Sequence, residues 1–215
     1  VSYDFDGTSA AYRCASAVVT TTPLTFACWF NSDSFAAQKY LMSAMDESSG
    51  TLNGFVLAVS TLGRAVAFTF GSGTQNSANS TAGGSTGVWG HAAAVYTSST
   101  SRRAYYNGGS EGTNSTARAP ANAPDNVVLA NYRTNAYSST WFDGRIADAA
   151  VWNTDLTAAE VAELGKGVSP LKVRPQSLVW YAPLIRDLVE IRQGLTLTAN
   201  GSPSAYTDHP RTFGL

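Results

Sequence analysis

The chain carries two histidines and fifteen acidic residues, and their placement decides which reactions are open to it. A Ser or Cys nucleophile needs a base within reach. His91 lies in Trp89-Gly90-His91-Ala92-Ala93-Ala94-Val95, an apolar strand pattern that marks it as a structural histidine, and His209 lies in Asp208-His209-Pro210, which reads as a turn. No Gly-x-Ser-x-Gly elbow, phosphate-binding loop or zinc-ligand spacing occurs. Glycoside hydrolysis needs two carboxylates about 5 to 9.5 Å apart, so on one strand they must share a face. Asp143 and Asp148 have opposite parity. Asp4 and Asp6 share parity but flank Phe5 just before Gly7, where they stabilise a turn. These residues predict no catalytic site and no enzyme.

Binding chemistry leaves two groups of candidates. Calcium prefers oxygen ligands from loop Asp, Asn and carbonyl groups, and Asp46, Glu47 and Asn53 are the loop cluster that could supply them. The competing reading of these three is a solvated polar hairpin connection, and no metal is required. Trp89, Tyr105, Tyr106, Trp141 and Trp152 could stack on sugar rings, with Tyr105, Tyr106 and Trp141 the binding candidates. On strands, aromatic residues are more often core or interface.

The elements that must position these residues are strands. Segments rich in β-branched and aromatic residues recur at 10–17, 24–31, 40–45, 54–60, 65–70, 90–96, 102–106, 127–131 and 144–152, separated by Gly, Asn, Ser and Thr clusters. Leu24, Phe26, Cys28 and Phe30 fall on one face, with Thr25, Ala27, Trp29 and Asn31 on the other. Phe55, Leu57 and Val59 likewise share a face. Asn107-Gly108 predicts a tight hairpin turn. The stretch 71–87 is poor in apolar residues and predicts a long exposed loop. One helix is predicted near 157–164: Thr157 is the N-cap, Glu160 completes a capping box, Leu156 and Val161 form a staple, and Gly165 is the stop. Cys14 and Cys28 could be bridged if their strands pair.

Composition narrows the partners. Charged residues make up 13% of the 215, hydrophobic residues 44%, and the net charge is −1 with a pI near 6.1. A charge content this far below the usual ~25% leaves a surface of Ser, Thr, Asn and Gly that packs against neighbours with little loss of side-chain entropy. Scattered Lys and Arg offer no stripe for nucleic acid, and no apolar run is long enough to span a bilayer. The opening, Val1-Ser2-Tyr3-Asp4, lacks the charged and apolar regions of a signal peptide, so the chain is expected to be soluble. Sandwiches of this length form one core, which predicts a single domain over 1–215.

Five stretches in order resemble the laminin G-like and concanavalin A-like jelly-roll family. They are Phe5-Asp6-Gly7-Thr8; Leu24-Thr25-Phe26-Ala27-Cys28-Trp29-Phe30, similar to the strand with a buried Trp; Gly87 to Tyr96; Ala104-Tyr105-Tyr106-Asn107-Gly108; and Phe142-Asp143-Gly144 to Trp152 with the helix after it. The core motifs span 1–164. The resemblance implies an all-β, two-sheet antiparallel sandwich that binds sugars or proteins, sometimes with calcium, although the family's usual calcium carboxylates have no residue-by-residue match here. The remaining 165–215, with Leu178-Val179-Trp180-Tyr181-Ala182, is similar to the tails of jelly-roll proteins in tailed-bacteriophage structural modules. It is expected to add strands to the sandwich or to swap as an arm. Together with the low charge and the long loop, this predicts a bacteriophage virion protein. It would be a capsid decoration or fibre component on the particle surface, a trimer seated on the major capsid protein. The alternative is an extracellular lectin-like module that holds a surface glycan, with or without calcium.

Overall fold

In the computed structural model, which describes residues 2–48, 50–185 and 188–210, the described residues form fifteen strands and one short α-helix. The first sheet runs in the order β10 (Gly109–Asn114), β9 (Ser101–Tyr106), β8 (Gly90–Ser98), β3 (Leu24–Ser32), β12 (Asp143–Trp152), β1 (Ser2–Asp6) and β15 (Ser204–Tyr206). β13 (Leu178–Ala182) shares one edge of β12 with β1. The second sheet runs β14 (Thr198–Asn200), β2 (Ala11–Cys14), β11 (Asn126–Leu129), β4 (Lys39–Met45), β5 (Gly54–Val59), β6 (Arg64–Gly71) and β7 (Thr74–Gly83). All pairings between these strands are antiparallel, and the two sheets stack as a jelly-roll sandwich. Among the described residues no helix is long and apolar enough to cross a membrane.

Period-two alternation builds the core. Leu24, Phe26, Cys28 and Phe30 of β3 face Phe55, Leu57 and Val59 of β5 across the sandwich. Tyr96 of β8 links the sheets: its ring lies 6.0 Å from Phe26 and 5.0 Å from Phe55, and its hydroxyl donates to the Val56 carbonyl. The outer face of the first sheet is apolar as well, and α1 (Ala158–Gly165) covers it with Leu156, Val161 and Leu164 packed among Trp152, Tyr181 and Val95. The predicted cap is present: Thr157 accepts from the Glu160 N–H, and Glu160 accepts from the Thr157 N–H.

Several expectations need correction. The stretch read as a long loop contains β7, paired with β6 from Thr74 to Gly83. Of its residues only Ala78 and Ser80 are buried, so its composition reads as loop, and its backbone is satisfied by pairing rather than by side-chain burial. No Cβ fits at Gly112, where β10 meets the Asn79 carbonyl, so the edges of the two sheets cover each other there. Cys14 and Cys28, for which a bridge is conditional on their strands pairing, lie on strands of different sheets and are the free, buried thiols that a core of this size allows. Gly165 belongs to the last helical turn, where close approach to the Gly108 backbone leaves no room for a side chain; Gly167, at φ +92°, ends the helix. Trp29 is half-buried on the outer face beside His91, and the buried tryptophans are Trp152 and Trp180. In the tail, where the sequence leaves both added strands and a swapped arm open, β14 pairs with β2 in one sheet and β15 with β1 in the other.

Candidate functional site

The outer face of the second sheet has an aromatic and charged surface that no helix covers among the described residues. Register sets it: Val56 of β5 lies opposite Phe68 of β6 and Ser43 of β4, with Val128 of β11 and Arg13 of β2 continuing the row. Val56, Ala58, Val66, Phe68 and Phe70 form a compact apolar floor, with Tyr40 and Tyr132 half-buried at its margin.

The connection between β11 and β12 folds back over this floor. Ser43 Oγ donates to the Asn131 carbonyl at 3.1 Å, Asn131 Nδ2 donates to the Ser138 carbonyl, and an isolated bridge joins Arg133 to Tyr137. The rings there fall into two groups. Tyr132 sits 4.8 Å from Tyr40 and 6.2 Å from Phe70, and Tyr137 sits 5.3 Å from Trp141. Lys39 Nζ donates to the Trp141 carbonyl at 2.9 Å. Partial burial raises the hydroxyl pKa of both Tyr40 and Tyr137, which keeps these hydroxyls protonated.

Charge enters through Glu47. Its carboxylate takes a two-pronged contact from Arg13 and a third bond, 3.0 Å, from Arg133, whose guanidinium lies 5.4 Å from the Tyr137 ring centre. A carboxylate held by two guanidiniums is engaged as a hydrogen-bond acceptor and is poorly placed to shuttle protons. The surface sets aromatic rings beside charged side chains fixed by hydrogen bonds.

The sequence candidates fall on both sides of this description. Trp141 is part of the surface. Tyr105 is sealed beneath α1, where burial pushes its hydroxyl up to about 12, and Tyr106 packs on the core beside Phe30. Asp46 and Asn53 are neighbours, since the Asp46 N–H donates to the Asn53 carbonyl, but their side chains anchor loops. Asp46 accepts from Ser48 and from Asn122 Nδ2, while Asn53 Oδ1 accepts from the N–H groups of Ser72 and Ala121. With Glu47 turned to two arginines, the three residues do not fit a calcium ion. Among the described residues no group of three or more His, Cys, Asp and Glu could hold a metal. Sequence reasoning missed Arg13, Tyr40, Tyr132, Arg133 and Tyr137. The density of aromatic residues between Tyr132 and Trp141 in an otherwise polar connection was the available signal.

Known proteins agree with this architecture. Residues 6–162 match the family model described as the Concanavalin A-like lectin/glucanases superfamily. No curated protein matches the chain. Among solved structures, a heptameric SAP-like pentraxin from Limulus polyphemus is similar at 15% identity and TM-score 0.70, covering 94% of this chain and 93% of that one. A Bacteroides ovatus protein assigned a carbohydrate-binding role is similar at 16% identity and TM-score 0.65, covering 96% of this chain, which spans 60% of that protein. The CBM40 module of a Ruminococcus gnavus IT-sialidase, solved with α2,3-sialyllactose, is similar at 14% identity and TM-score 0.62, over 77% of this chain and 98% of that one. Such identities establish shared fold alone. The family match spans most of the sandwich, from the end of β1 into α1, and on it the chain belongs to the concanavalin A-like lectin and glucanase superfamily.

Proposed function

We propose that this chain is a non-catalytic, extracellular carbohydrate-binding module whose binding surface is the outer face of the second sheet. The observation that carries this reading is the gathering of the half-buried rings of Tyr40, Tyr132, Tyr137 and Trp141 around Arg13, Glu47, Arg133 and Lys39. Rings give a sugar its apolar contact, and charged donors fix its hydroxyl groups. Support also comes from folds of this kind that were solved with sialyllactose and with arabinotriose. The test is a glycan array probed with the wild-type chain and with Tyr132→Ala, each with and without a chelator. The expected result is a glycan retained by the wild type and weakened by roughly thirtyfold in the variant, the effect of losing one aromatic anchor worth about 2 kcal/mol. A wild-type chain that retains no glycan, with or without calcium, sinks the reading.

A second reading, decoration of a bacteriophage particle through contacts with the capsid and between copies of the chain, rests on the low charge content of 13%. One of its other supports is gone, because the long loop contains β7. Co-purification with particles at a simple fraction of the shell copy number would restore it.

A further inference from the structure

A cleft of about 140 Å³ opens at one end of the sandwich, apart from the aromatic surface. Thr20, Thr21 and Thr22 line it from the β2–β3 connection, Ser99 from the β8–β9 turn, and Arg118 and Asn122 from the β10–β11 connection, with Phe55 contributing from β5. Hydroxyls, an amide and one cation therefore converge on a space of small-group size.

The charges at this end are unbalanced. Arg102 is fully buried, and its guanidinium is held by neutral acceptors: Thr69 Oγ1, Asn114 Oδ1 and the carbonyls of Thr116 and Ser99. The Arg118 N–H donates to the same Ser99 carbonyl, and the buried Arg118 Nε has no hydrogen-bond partner among the described residues. Neither guanidinium has a carboxylate within ion-pair distance among the described residues. The nearby acid, Asp46, is turned to Asn122 Nδ2 and to the N–H and Oγ of Ser48. Burial and the neighbouring Arg118 charge both work against the charge on Arg102. Arg118 is thus the one cation lining the cleft, its Nε has no hydrogen-bond partner and no carboxylate is paired with it among the described residues, and the buried charge of Arg102 lies behind it, a setting that favours an incoming anion.

The cleft is also held in shape. Asn53 Oδ1 accepts from Ala121 and Ser72 together, Asn122 is tied to Asp46, and the 118–119 backbone packs on Gly71, where a Cβ would clash with the Ala119 carbonyl. A site with fixed walls loses less entropy on binding.

We propose that this cleft binds a single oxyanion group, such as a sulfate, phosphate or carboxylate, with Arg118 as the charged contact and the hydroxyls of Thr20–Thr22 and Ser99 as further donors. The site is independent of the aromatic surface. Backbone amide NMR shifts followed during titration with inorganic phosphate, against chloride at matched ionic strength, test it. Saturable shifts are expected in Thr20, Thr21, Thr22, Ser99 and Arg118, weakened about tenfold or more in Arg118→Gln, the loss of one charged hydrogen-bonded contact. Tyr132→Ala should leave these shifts unchanged, which separates this site from the glycan surface. A phosphorylated or sulfated monosaccharide distinguishes the source: tighter binding than the inorganic ion assigns the group to a glycan terminus, and equal binding assigns it to the free ion. Shifts that follow ionic strength without saturating, or that persist in Arg118→Gln, overturn the proposal.

Discussion

His91 should make this protein lose stability in mild acid, and the size of the loss follows from its burial. The side chain lies on the outer face of β8, its residue 2% exposed, with the ring 5.4 Å from Trp29 and no partner for Nδ1 among the described residues. Burial alone lowers its pKa from 6.5 to about 3. An unfolded chain therefore takes up a proton below about pH 6.5 that the folded chain refuses until near pH 3. The unfolded state holds more protons throughout that window, so stability falls as pH falls across it. At about 1.4 kcal/mol per pH unit, the loss between neutral pH and pH ~5 is about 2 kcal/mol, a sizeable part of the ~5 to 15 kcal/mol typical of a domain. Replacement by Phe keeps a ring against Trp29 and removes the titration. Urea unfolding of both proteins at the two pH values checks this, and the difference between their acid losses isolates His91 from every other titrating group. Equal losses in the two proteins would refute the reasoning.

Three further outcomes are expected. Glu47→Gln leaves Arg13 and Arg133 without their shared acid; side-chain exposures of 16 to 28% place the cost between surface and buried pairs, about 2 kcal/mol, or roughly 4 to 8 °C in Tm by calorimetry. An unchanged Tm would mean that water already screens the trio. Gly165→Ala is predicted by helix propensity to stabilise, yet the Gly108 backbone occupies the space of the new methyl, so destabilisation of about 1 to 3 kcal/mol is expected and the sign of the change in Tm decides. Asp6→Asn should flatten the acid limb of unfolding. Burial raises the Asp6 pKa, but N–H bonds from Ser9, Thr8 and Ala10 outweigh it and hold the group below its ordinary 3.8. Its contribution is thus complete above about pH 4 and is lost as pH falls through the folded value; parallel acid limbs for the two proteins would contradict this.

The sandwich was legible where burial is two-sided or strictly alternating. β3 and β5 announce themselves because a one-residue slip would take Phe26 or Leu57 out of the core between the sheets. The helix was legible because its cap is local: Thr157 and Glu160 meet in any chain that turns there. β7 was not, since an edge strand can be held by backbone pairing with almost no apolar side chain. The stop at Gly165 was misread for a related reason. Proximity to Gly108, far away in sequence, gives that glycine its role, and no local pattern carries such a contact.

The candidate site was less legible than the fold, and Asp46 and Glu47 show why. Both are oxygen donors in a short loop, the chemistry that also suits a cation. What separates a metal ligand from a scaffold acceptor is which donors reach the oxygens first, and those donors come from distant segments. Asp46 meets Asn122 and Glu47 meets Arg13 and Arg133. Adjacent in the chain, the two acids serve opposite ends of the function proposed here. Asp46 braces the walls of the anion cleft, and Glu47 fixes the arginines beside the aromatic surface. Their charges act on separate sets of partners, and Asn53 holds Ser72 and Ala121 at once on the cleft side, which keeps the two sites independent.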